Sequence, residues 1–111
     1  MTWKILGQTR LTNTTATSVF SPTRGFEYRI DVIMVSEHAG NTPSYRLFFD
    51  DDGTTYDQTT AIAYDVALTA NQSARIAGPF FMNNPSGNLA ARASAGNEVT
   101  VTVFGQEMKN G

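Results

Sequence analysis

The chain has 111 residues, a net charge of −2 and no cysteine, which fits one domain over residues 1–111 whose core needs no disulfide or metal staple. Its eight Lys and Arg residues are scattered, which argues against nucleic acid as a partner, and the missing thiols suit a reducing cytoplasm. No apolar run approaches the ~20 residues that span a bilayer, and Met1 to Gln8 has no signal-peptide layout, so no membrane or export role is expected.

Trp3-Lys4-Ile5-Leu6 reads as a first strand stopped by Gly7. The stretch from Thr9 to Ser18 is too rich in β-branched residues for a stable helix, and Thr15, Thr17 and Val19 alternate as a strand does. Ser21 to Gly25 is turn chemistry, with Pro22 fixing φ and Gly25 free to take a positive one. The longest regular strand follows. Phe26, Tyr28, Ile30, Val32 and Met34 alternate with Glu27, Arg29 and Asp31, and side chains on a strand point to opposite faces with period two. One face is therefore expected to be apolar throughout. The other turns apolar at Ile33 and Val35, as if the second half were covered on both sides.

Ser36 to Ser44 is a loop, Tyr45 to Phe49 a strand, and Asp50 to Gly53 ends it. Ile62, Tyr64, Val66 and Leu68 then alternate with small or polar residues, a strand period despite the alanines. Ser73 to Met82 is a strand expected to bend or bulge at Gly78-Pro79. Asn83 to Gly87 is a turn, Asn88 to Ser94 is Ala-rich and ambiguous, and Glu98 to Phe104 alternates cleanly. About eight short strands with turn clusters between them predict an all-β fold, a single jelly-roll-like β-sandwich. Ile5-Leu6-Gly7-Gln8 is echoed by Val103-Phe104-Gly105-Gln106. Either the two are neighbouring strand ends in one sheet, both stopped by Gly, or the match is coincidence.

Chemistry is sparse. His38 is the single histidine, whereas a triad needs a nucleophile, base and orienter together and a zinc site three or four His or Cys ligands. No catalytic residue, metal ligand or cofactor site is assigned. Asp50, Asp51, Asp52 and Asp57 cluster around Gly53, but the ligand order of a calcium loop is missing, and a solvated surface turn is expected. Trp3, Tyr28, Tyr45, Tyr56 and Tyr64 are stacking candidates for a sugar, although most fall on the apolar phase of their strands and belong to a core.

The adjacent pairs Phe48-Phe49 and Phe80-Phe81 must face opposite ways. A small sandwich with apolar residues on both strand faces hides one of them in a subunit interface, or under a loop. With Ile33 and Val35, they motivate self-association. The expected interface residues are Trp3, Phe48, Phe80, Phe81 and Met82.

A set of short motifs runs through the chain in order. These are Lys4-Ile5-Leu6-Gly7-Gln8, Val19-Phe20-Ser21-Pro22, the apolar strand Ile30 to Val35, Tyr45-Arg46-Leu47, Ala63-Tyr64-Asp65-Val66-Ala67-Leu68, and Phe104-Gly105-Gln106-Glu107. In them the chain resembles a family of small proteins encoded in tailed-phage genomes and prophages, found among virion structural proteins. That family opens with Lys-(Leu/Ile)-Leu-Gly-Gln and closes with Phe-Gly-(Ser/Gln)-Glu. Asp50 to Asp57 and Gly78 to Phe81 depart from it. The resemblance implies a virion component assembled in the host cytoplasm, most simply a capsid decoration (cement) protein. It offers no catalytic residues to carry over. Its implied partners are further copies of itself, as a homotrimer matching threefold points of the head, and a major capsid, tail or neck protein. A tail, neck or fibre-attachment component is the alternative within the family. A carbohydrate-binding sandwich is the alternative outside it.

Overall fold

Eight stretches of alternating or β-branched sequence become eight strands. They are β1 (Thr2–Leu11), β2 (Thr17–Phe20), β3 (Phe26–Glu37), β4 (Ser44–Asp50), β5 (Ala61–Ala67), β6 (Ser73–Met82), β7 (Asn88–Ala93) and β8 (Val99–Lys109). The structure, a computed structural model, describes residues 2–110. One antiparallel sheet has the order β1-β8-β3-β6 and the other β2-β7-β4-β5. Every connection except that from β4 to β5 passes from one sheet to the other, giving two interleaved Greek keys, the jelly-roll arrangement. The expected fold class is thus the observed one.

The core lies between the sheets. Ile30, Ile33, Val35, Val99, Val101 and Val103 come from the first sheet; Leu47, Leu89, Ala91 and Ala93 come from the second. Each large apolar side chain buried here contributes about 1.5–3 kcal/mol. Polar side chains hold the crossings. The Asn13 side chain accepts the Thr15 amide at 2.9 Å and turns the chain out of β1, so β2 begins only at Thr17. That local turn, favoured by asparagine, overrides the strand-like alternation of the threonines before it. The crossing from β3 to β4 is held by Glu37. Its buried carboxylate accepts the backbone N–H groups of Asn71 (2.8 Å), Gly40 (3.0 Å), Ala39 (3.1 Å) and Asn41 (3.2 Å).

A line of bulges crosses the first sheet and corrects three expectations. Register shifts occur between Ile5 and Gly7 on β1 and between Ile30 and Val32 on β3, the latter against both β6 and β8. One extra residue in a strand reverses the inside–outside phase beyond it. On β3, Tyr28 and Ile30 face the core before the bulge, and Ile33 and Val35 face it after. Ile33 and Val35 are therefore core residues, and Val32 and Met34 are the half-buried ones on the outer face. Gly7 and Gly105 do not stop their strands. β1 runs through Gly7 to Leu11, and β8 runs through Gly105 to Lys109. The two echoed segments do pair, with Ile5 opposite Phe104 and Gly7 opposite Val103.

Glycine sits on this line for want of space. A Cβ on Gly105 would lie 2.2 Å from the Arg29 carbonyl oxygen, and one on Gly78 would lie 2.2 Å from that of Ile30. The expected irregularity of β6 at Gly78-Pro79 is present, and that peptide bond is cis.

Candidate functional site

Cross-strand partners share a face of a sheet, so the register assembles the outer surface of the β1-β8-β3-β6 sheet directly. Trp3 pairs with Gln106, Gln106 with Arg29, and Arg29 with Phe81. These four form one row across the whole sheet. Trp3 and Phe81, on the two edge strands, are each 67% exposed. The neighbouring row is Ile5, Phe104, Val32 and Ala77, with Ile5 exposed. On the other side of the first row Glu27 pairs with Met108, also exposed. This end of the outer face therefore carries an apolar surface with a few polar groups set into it, while the far end, with Gln8, Thr102 and Arg75 in one row and Arg10, Thr100, Ser36 and Ser73 in another, is polar.

Those polar groups are ordered. Asp31 is the extra residue of the β3 bulge, and its carboxylate turns to the outer face. There Arg29 Nε donates to one oxygen at 2.9 Å and Gln106 Nε2 approaches the other at 3.4 Å. The bulge thus supplies a carboxylate that fixes the guanidinium in the middle of the row. A pocket of about 150 Å3 opens beside it, lined by Glu27, Tyr28, Arg29, Phe81, Gln106 and Met108. A second, of about 270 Å3, lies next to it and shares Glu27, Tyr28 and Phe81, adding Asp51, Met82 and Asn83.

The expected interface residues separate on this geometry. Trp3 and Phe81 are free on the outer row. Phe48 and Met82 are each only 2% exposed, so both are corrected to interior positions. Phe48 does face away from the main core, but the loop after β4 folds over it and lays the Tyr56 ring 6.0 Å from its own. Met82 points inward as the neighbour of the outward Phe81. Phe80 also points inward and meets Phe49 across the sandwich at 6.0 Å, which leaves it half-buried.

Of the stacking candidates, Tyr28 and Tyr45 are core residues and Tyr56 covers Phe48. Tyr64 is the exception to the alternation argument. Ile62, Tyr64 and Val66 are exposed, while Ala63 packs inward opposite Leu47. The bulky residues of β4 fill the core at this edge, and Asp65, in a left-handed conformation at φ 53°, breaks the register of β5. The Tyr64 ring lies 3.9 Å from the Arg46 guanidinium, which also pairs with Asp65 at 2.6 and 3.1 Å. That pairing lowers the Asp65 pKa and raises that of Arg46.

The acidic turn is built by Asp50. This buried carboxylate accepts the amides of Thr55 at 2.8 Å and Asp52 at 3.2 Å, which lowers its pKa. Asp52, next to that charge, is shifted up. Asp51, Asp52 and Asp57 are exposed, and among the described residues no three His, Cys, Asp or Glu side chains are grouped to hold a metal ion. His38 is exposed and its Nε2 lies 3.2 Å from Thr100 Oγ1.

The Arg29–Asp31–Gln106 cluster escaped the sequence reading. Its one signal was the break in alternation at Asp31-Val32-Ile33. No family model, curated protein or solved structure matches the chain.

Proposed function

We propose that this protein is a structural subunit of a tailed-phage virion, a decoration protein that binds the head at its symmetry points and associates as a trimer. The observation that carries the reading is the outer row from Trp3 to Phe81 with its apolar neighbours Ile5 and Met108. Large exposed apolar patches on a small protein mark interaction surfaces, and aromatic residues and arginine are the side chains that dominate interface energetics. The motif order along the chain supports the phage setting, the threefold points of tailed-phage heads support a trimer over a dimer, and symmetric closure avoids open-ended fibres. A tail or neck position is compatible with the same surface.

No catalytic role is part of this proposal. In the middle of the outer row Asp31, Arg29 and Gln106 are engaged with one another.

A second reading, carbohydrate binding, draws on one observation. Exposed aromatic rings flanking planar polar groups, as Trp3 and Phe81 flank Gln106 and Arg29, suit sugar faces and hydroxyls. Mass spectrometry of gradient-purified particles separates the two. The proposal expects this chain in the particles at a fixed ratio to the major capsid or tail protein. Its absence from particles, together with specific retention of the free protein on a glycan array, would overturn it.

A further inference from the structure

We propose that the paired pockets around Phe81 take a basic side chain, lysine or arginine, presented by a partner protein. The inference rests on reading this face as a docking surface and names what docks. The two pockets share Glu27, Tyr28 and Phe81 and so form one continuous depression on either side of the Phe81 ring. Its apolar walls are Phe81 and Met108 on one side and Met82 at the base of the other. Its charges are Glu27, common to both pockets, and Asp51, brought from the loop after β4.

Charge complementarity selects the occupant. Arg29 is the one cation lining the depression among the described residues, and Asp31 neutralises it at 2.9 Å. Glu27 and Asp51 have no ion-pair partner among the described residues, so the depression is net acidic. An aliphatic stem fits against Phe81 and Met108. A cation at its end meets the Glu27 carboxylate and the π-face of Phe81, the two groups that attract it most. An acidic or purely apolar anchor would meet the same carboxylates with repulsion or with uncompensated desolvation.

The test is run in a Trp3→Asp background, since Trp3 lies outside the depression and its replacement keeps self-association from covering Phe81; the result is independent of whether the chain is found in particles. Backbone amide spectra are recorded during titration with n-butylguanidinium and n-butylammonium, and with n-pentanoate as the anionic isostere. Expected are saturable shifts in the millimolar range clustered at Glu27, Phe81, Asn83 and Met108 with both cations, and none there with n-pentanoate. Glu27→Gln weakens cation binding roughly two- to fivefold, the worth of a half-exposed ion pair. Phe81→Ser, at an exposed position, keeps the folded spectrum and loses the cluster of shifts. Equal shifts with n-pentanoate, no shifts, or shifts spread evenly to the Asp57 turn would overturn the proposal.

Discussion

Gly105 faces the carbonyl oxygen of Arg29 so closely that a β-carbon would lie 2.2 Å from it. Gly105 pairs with Ile30 at the point where β3 gains its extra residue, so the close approach falls on the bulge line. Gly105→Ala should destabilise the fold by about 1–3 kcal/mol, as overpacking of a close contact does. Gly25, at φ 89° with nothing within 4 Å of a Cβ, tests the other cost of replacing glycine. Gly25→Ala should lose about 1–2 kcal/mol from backbone conformation alone. Urea unfolding measures both, and a neutral Gly105→Ala would contradict the packing described here.

Phe48 belongs to the interior even though it lies on the outer side of its sheet. Truncation to Ala removes a buried ring beneath Tyr56 and should cost about 3–5 kcal/mol. The same variant, at temperatures where it stays folded, should match the wild type in its state of association. Sedimentation and thermal melts together check this; a stable variant with lost association would return Phe48 to the interface.

Much of this fold was legible in the sequence because period-two alternation and turn residues mark strands locally. The bulge line was not, since a bulge depends on which residue of the neighbouring strand stands opposite. Apolar residues hold every second position from Phe26 through Met34 and only Ile33 intrudes between them, yet the core takes Ile30 and then Ile33. The candidate site was half legible for the same reason. Adjacent phenylalanines require that one point outward, but only the register shows that Phe81 does so, in line with Trp3. Covering of Phe48 was likewise hidden, because the Tyr56 loop returns from outside the strand.

Glu37 should couple stability to pH. The Asn71 amide, with those of Asn41, Ala39 and Gly40, stabilises the charged carboxylate and outweighs its desolvation, so its pKa is lowered in the folded protein. A lowered folded-state value means that the contribution is fully present above the ordinary glutamate range. It is lost as pH falls through the folded-state pKa. Thermal melts across acidic pH should show this loss, and Glu37→Gln should melt lower than the wild type at neutral pH and flatten the acid limb. An unchanged acid limb in that variant would remove Glu37 as its source.

The acidic turn is held by amides, with Asp50 accepting from Thr55 and Asp52. Calcium or a chelator should leave the melting temperature unchanged. A rise of many degrees on adding calcium, abolished by Asp51→Ala, would show a site that binds the folded state.

If the protein assembles as proposed, it does so through the Trp3–Phe81 face. Sedimentation velocity of the wild type beside Trp3→Asp and Phe81→Asp tests this most directly, since both side chains are exposed and neither supports the core. Expected are a trimer for the wild type at concentrations of tens of micromolar, an order of magnitude typical of modest association, and folded monomers for both variants. A wild-type monomer, or variants that remain trimeric, would contradict it.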